Sequence, residues 1–168
     1  MKKMLKIAIS LMLTFSVSVA FAEFNQGANA FLFNFGFTRG GMSLGVDYEN
    51  AIHRTFSVGG YFRTYPDSTN PSANGLTTVG AFIRPHFNRQ AWDLYLSPGF
   101  GIISLKPSAS GASDETLMGP SFAIGLLYEF NPKLAIGIEE MTLYSWFGEN
   151  DYRGFLSREL MGKVRFVY

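Results

Sequence analysis

From residue 30 onward the chain alternates large apolar residues with polar or small ones at a period of two. In Ala30-Phe31-Leu32-Phe33-Asn34-Phe35-Gly36-Phe37 every second residue is Phe. On an extended backbone that spacing puts all four rings on one face. Met42 to Glu49 alternates without a break, and the period returns at Phe56, Val58 and Phe62, at Val79, Ala81, Ile83 and Phe87, and at Trp92, Leu94, Leu96, Phe100 and Ile102. Three more runs follow, carried by Phe122 and Phe130, by Leu134 and Tyr144, and by Leu156 and Phe166. Eight strands are predicted. The connections after strands two, four and six are brief, near residues 51–54, 88–91 and 131–133. Those after three, five and seven are long and rich in turn formers, at residues 66–76, 106–116 and 145–153. The first hairpin, at residues 38–41, lacks a long loop. Short turns at one end and long loops at the other describe an up-and-down meander in one domain.

The opposite face of each strand is small or charged. It carries Asn34 and Gly36; Ser43, Gly45, Asp47 and Glu49; Ser57, Gly59, Tyr61 and Arg63; Thr78, Gly80, Arg84 and His86. It continues with Asp93, Tyr95, Ser97 and Gly99; Ser121, Ala123, Gly125 and Glu129; Gly137 and Glu139; and Ser157, Glu159, Lys163 and Arg165. In a soluble ligand-binding barrel the apolar face points inward. Roughly thirty large apolar side chains would then have to enter an eight-stranded interior that is only just wide enough for side chains. They do not fit. Turned the other way, the Phe-rich face meets lipid while Gly and Ser leave lumen space for paired charges, and closure satisfies every backbone group. The chain therefore reads as all-β, an eight-stranded antiparallel up-and-down transmembrane β-barrel.

Aromatic residues mark the strand ends. Phe31, Tyr48, Phe56, Phe87, Trp92, Phe130 and Tyr168 lie beside the short turns, and Phe37, Tyr65, Tyr144 and Trp146 at the other end, as two interfacial girdles would. The last strand ends Gly162-Lys163-Val164-Arg165-Phe166-Val167-Tyr168, with Phe166 and Tyr168 on the lipid face. This ending resembles the C-terminal assembly signal of bacterial outer-membrane proteins. With the strand count, the whole chain after residue 22 is similar to the small OmpA-, OmpX- and OmpW-type barrels. The resemblance implies a bacterial outer-membrane location, contact with outer-membrane lipids and lipopolysaccharide, recognition by the outer-membrane assembly machinery, and a monomer.

Composition fits that picture. The chain has 168 residues, 17 Phe, 18 Gly, no Cys and 16% charged residues, so one domain is expected and disulfides and thiolate metal sites are excluded. Lys2, Lys3 and Lys6 precede an apolar run from Ile7 to Val19, and Ala20-Phe21-Ala22 has the form of a cleavage site. Residues 1–22 are thus expected to be a removed signal peptide and residues 23–168 the barrel. Without those three lysines 11 basic residues face 13 acidic ones, since 14 − 3 = 11, a net charge of −2. No basic stripe points to nucleic acid.

The lumen charges are the candidate site: Asp47, Glu49, Arg63, Arg84, His86, Asp93, Glu129, Glu139, Glu159, Lys163 and Arg165. Asp47, Glu49, Arg84, His86, Asp93, Glu129, Lys163 and Arg165 fall toward the short turns, and Arg63, Glu139 and Glu159 toward the loops. Two readings follow: a salt-bridged plug that holds the barrel together, or a constricted pore for ions and small polar solutes. A surface-adhesion role would rest on Trp146, Phe147 and Tyr152 in the last loop. Lipid A chemistry would need a nucleophile and base at the outer leaflet. His53, in a short turn, and His86, near the same end, stand at the wrong depth for it. With two distant His and no Cys, neither a metal nor a cofactor is expected. Glu139 and Glu140 face opposite sides of one strand. Glu140 is then a mispaired acid on the lipid face, expected to be relieved by a bulge or by nearness to the rim, and Arg158, on the same face, is expected to meet lipopolysaccharide phosphates.

Overall fold

A computed structural model describes residues 26–38, 41–66, 73–107, 114–148 and 153–168. Eight strands form in order: β1 (Asn29–Thr38), β2 (Gly41–His53), β3 (Phe56–Tyr65), β4 (Ala73–Arg89), β5 (Trp92–Pro107), β6 (Glu115–Asn131), β7 (Leu134–Ser145) and β8 (Gly154–Val167). Each pairs antiparallel with its neighbours, and β1 pairs with β8 to close the barrel. Closure removes both sheet edges, so no strand is left with an unpaired row of backbone groups.

The short connections are two-residue turns. His53 pairs with Phe56, Arg89 with Trp92 and Asn131 with Leu134. In the second of these Gln90 takes φ 58°, the left-handed region such tight hairpins demand of a turn residue. The chain ends lie at this turn end, where Tyr168 and Asn29 exchange backbone hydrogen bonds of 2.9 and 3.3 Å. The Tyr168 ring stacks on Phe31 at 5.7 Å, so the terminal aromatic packs across the β1–β8 seam. β4, β5 and β6 are the longest strands and carry the sheet into segments expected to be loops: β4 begins at Ala73, and β5 runs to Pro107.

Side chains alternate strictly between two environments. In β6, Leu117, Ala123 and Leu127 are buried, while Met118, Phe122, Ile124 and Leu126 between them are exposed. The outer wall is apolar over most of its area, and side chains fill most of the lumen. It is not, however, small or charged throughout. Toward the loop end Tyr61, Tyr65, Leu76, Phe82, Ile103, Leu105, Leu117, Met141, Leu143 and Met161 form an apolar cluster inside the barrel. Tyr65 belongs to it at 2% exposure, which corrects its assignment to the outer girdle.

Candidate functional site

The pleat places every lumen charge on the inner face of its strand, and cross-strand register decides which meet. Asp47 on β2 is the hub. It accepts Arg84 Nη2 at 2.9 Å and Lys163 Nζ at 2.8 Å, pairs with Arg63, and takes Asn34 Nδ2 at 3.3 Å. Arg84 also reaches Glu49 at 2.5 Å and donates from Nε to Ser97 at 3.0 Å. Glu139 on β7 pairs with Lys163, accepts Arg63 Nη2 at 3.3 Å, and takes the Tyr95 hydroxyl at 2.8 Å. The result is three acids, Asp47, Glu49 and Glu139, against three bases, Arg63, Arg84 and Lys163. All six are nearly inaccessible to solvent. Such a cluster survives burial because its charges balance and most of its lone pairs and protons are used, Glu49 Oε1 and Arg63 Nε being the exceptions. Arg84 is further held between the rings of Phe82 and Tyr95, at 4.1 and 4.5 Å from their centroids.

A second group lies nearer the turns. Arg165 reaches Asp93 at 2.5 Å and pairs with Glu129, which is only partly buried. Asp93 accepts His86 Nδ1 at 3.0 Å, and His86 Nε2 lies 3.0 Å from Ser57 Oγ. Ser57, His86 and Asp93 thus stand in the order of nucleophile, base and orienting acid. Ser57 and Asp93 are fully buried, His86 is 3% exposed, and Ser57 also lies 3.4 Å from Glu49. The whole relay lies inside the lumen. Sequence spacing missed Ser57, because only the β3–β4 register brings it beside His86. Glu159 makes no ion pair among the described residues, and the Ser43 and Tyr65 hydroxyls lie beside its carboxylate. His53 is exposed in its turn and bonds only locally, to Thr55. Among the described residues no three His, Asp or Glu side chains are grouped to hold a metal ion.

The aromatics fall at both ends of the wall. Phe31, Tyr48, Phe87, Trp92, Phe130 and Tyr168 are exposed at the turn end, with Phe56 half-buried, and Tyr144 and Trp146 are exposed at the loop end. Phe166 is exposed and edges against Phe33 at 6.0 Å. The Phe37 side chain, Tyr152, residues 1–22, the first hairpin tip and the tips of the three long loops lie outside the described residues.

No protein-family model matches the chain, and no curated protein matches it. Solved structures do. The N-terminal β-barrel domain of Pseudomonas aeruginosa OprF matches with a TM-score of 0.67 at 12% identity, over 85% of this chain and 98% of that one. Neisserial surface protein A matches at 0.64 and 18% identity, over 84% and 95%. The Yersinia pestis outer membrane protein Ail, solved in a phospholipid bilayer nanodisc, matches at 0.53 and 15% identity, over 84% and 99%. The chain has the fold of the small eight-stranded outer-membrane barrels. At these identities the likeness concerns the fold, and function has to be argued from the site.

In a barrel of this kind a charge on the outer wall is costly, and the wall of β7 and β8 carries two. Glu140 is relieved by a partner, where its position in the strand had implied a bulge or the rim. Arg158 Nε donates to Glu140 Oε1 across the β7–β8 pair, where Thr142 is the residue opposite Arg158. Below this pair the outward-facing Gly162 opens a groove lined by Phe33, Phe35, Leu44, Ile136 and Val164.

Proposed function

We propose that this chain is an integral outer-membrane barrel with a mainly structural role, its lumen closed in the resting state. One observation carries the reading: a charge-balanced layer cross-links β2, β3, β4, β7 and β8, with the apolar cluster stacked on its loop side. A void of about 10 Å³ between the two layers, bordered by Arg63, Arg84, Phe82, Glu139 and Met141, has room for one water and not for a hydrated ion. On this reading residues 1–22 are removed on export, the two-residue turns face the periplasm, and the loops face outward. The outer wall contacts outer-membrane lipids and lipopolysaccharide, and the groove at Gly162 takes acyl chains. The closing strand with Phe166 and Tyr168 is read by the assembly machinery, and the barrel is a monomer.

Passage of small solutes is then limited to what displaces the ionic layer. In planar bilayers the wild-type protein is expected to give no steady conductance. The Arg84→Ala/Arg165→Ala double variant is expected to open one or to lose its folded barrel. Unchanged melting together with an unchanged electrical trace in that variant overturns the plug. None of the three solved neighbours is named for an enzymatic activity, and the enclosed Ser57 relay supports a non-catalytic role. A second reading, interaction through the loops, is favoured by Trp146 and Phe147, exposed by 57% and 55% where β7 gives way to its loop. The Phe147 backbone is fixed to Met118 by two hydrogen bonds of 2.9 Å, which holds the pair at the rim. Binding to cell surfaces that is lost on deleting residues 145–153 supports this reading; binding that survives the deletion removes it.

A further inference from the structure

The aromatic residues of the turn end form two groups on the outer wall. One, Phe31 with Tyr48 and Tyr168, covers the β1–β8 seam. In the other, Trp92 at the start of β5 packs edge-on against Tyr128 of β6 with ring centroids 4.9 Å apart, and Tyr128 packs in turn against Phe130 at 5.2 Å. All three residues are exposed. Phe130 takes its place at a bulge, where the β6–β7 register shifts between Glu129 and Asn131. The β4–β5 turn leans on the same strand, because Glu129 N donates to Ala91 O at 2.8 Å.

A base stands on either side of this second group. Arg89 at the end of β4 pairs in register with Trp92, and Lys133 follows Phe130 in the β6–β7 turn, its backbone N–H fixed by Asn131 Oδ1 at 2.9 Å. Both residues are exposed. Asp93 and Glu129, the acids of these strand ends, turn away into the lumen, where Arg165 holds them. Residues 87–92 and 130–134 contain no acid, whereas the connections at the other end, residues 38–41, 66–76, 106–116 and 145–153, hold three bases against five acids. Arg54, in the β2–β3 turn, has a contact of its own, and the site does not need it.

We propose that Arg89 and Lys133, with the Trp92, Tyr128 and Phe130 rings between them, bind the headgroups of anionic phospholipids in the leaflet at the turn end. The site deepens the reading of the wall as lipid-facing and rests on it. Interfacial aromatic rings settle at headgroup level, which brings lipid phosphates within reach of the flanking bases. A lipid of net negative charge gains from both bases, while a zwitterionic one brings its own cation with its phosphate. The two-residue turns favour a lipid over a polymer beyond the membrane, because they carry the bases little further out than the rings.

The test reads the site from within it. Trp92 and Trp146 are the chain's two tryptophans, so Trp146→Phe leaves a reporter in the site and Trp92→Phe leaves one at the loop end. Each variant is inserted into phosphatidylcholine vesicles holding a small share of dibrominated phosphatidylglycerol or of dibrominated phosphatidylcholine, and quenching of the remaining Trp is compared. At Trp92 the anionic lipid is expected to be preferred by about five-fold for each base at low salt, and by less as salt is added. The preference is expected to fall to near one in Arg89→Gln/Lys133→Gln, whose fold is checked by heat-dependent mobility on gels, and to be near one at Trp146. Equal quenching by the two lipids at Trp92, a preference unchanged in the double variant, or an equal preference at Trp146 overturns the site. Retention by insoluble anionic cell-wall glycan that is lost in the double variant, without any lipid preference, also overturns it and assigns the bases to that polymer. Absence of quenching by either lipid would instead overturn the lipid-facing wall, so the two failures are told apart.

Discussion

Replacing Asp47 by Asn tests the ionic layer at its hub. Asp47 is fully buried and holds Arg63, Arg84 and Lys163 at once. Each base keeps one other acid, Glu139 for Arg63 and Lys163 and Glu49 for Arg84, but three bases then share two acids. One positive charge is left buried without a counter-charge. Breaking a buried pair by removing one partner costs about 3–5 kcal/mol. Retention of the second partners and of the Asn hydrogen-bonding groups places Asp47→Asn near the lower figure, about 3 kcal/mol. Removing Lys163 as well, in Asp47→Asn/Lys163→Met, restores a balance of two acids and two bases, Glu49 and Glu139 with Arg84 and Arg63. The double variant is expected to regain most of the loss, because replacing a whole buried pair by apolar packing is often close to neutral. The assay is urea unfolding in lipid vesicles, followed by Trp fluorescence and by the mobility difference between folded and heated protein on gels. A single variant within about 1 kcal/mol of wild type, or a double variant worse than the single, refutes the charge-balance reasoning.

Three further outcomes follow from the same geometry. Gly125 lies opposite Tyr95, whose ring occupies the space a side chain would need and whose hydroxyl is tied to Glu139. Gly125→Ala should therefore cost about 1–3 kcal/mol in the same urea assay by overpacking, and a neutral result would show that Tyr95 moves freely. On the outer wall, Arg158→Leu strands Glu140 in lipid and should lower the folded fraction after vesicle insertion, whereas Arg158→Leu/Glu140→Leu should restore it; equal yields from both would mean that the pair does not act as a unit. A fluorophosphonate probe should leave Ser57 unlabelled in the folded barrel, and labelling lost in His86→Ala would instead expose a working nucleophile.

The barrel was legible in the sequence because the strand period of two coincides with the two environments a membrane barrel offers. The four alternate Phe of β1 have no other economical arrangement. Legibility failed where both faces are apolar. At Ile102-Ile103 and Leu126-Leu127 adjacent apolar residues hide which one turns inward, so the loop-side cluster that takes in Ile103 and the turn-side cluster that takes in Leu127 went unseen. Tyr65 was recoverable: counting by two from the lumen-facing Arg63 puts it inside, but its place at the strand end made the girdle the more obvious home. The membership of the ionic layer followed from parity, and the individual pairs did not. Asp47 meets Lys163 from 116 positions away, a contact set by closure of β8 onto β1 and by the tilt of the strands. The Glu140–Arg158 contact was hidden for a related reason, since it runs diagonally across the β7–β8 register, in which Glu140 stands opposite Leu160 and Arg158 opposite Thr142.

Orientation of the wall is the central claim, and the absence of Cys in the chain makes it directly measurable. Single cysteines along β6, at Phe122, Ile124 and Leu126 on one face and at Ser121, Ala123 and Leu127 on the other, can carry an environment-sensitive fluorophore in vesicles containing quencher-labelled lipid. Strong quenching at Phe122, Ile124 and Leu126, with little at the alternate positions, is the pattern a lipid-facing aromatic wall predicts. The reverse alternation, or no alternation at all, would contradict it and return the apolar face to the interior of a soluble barrel.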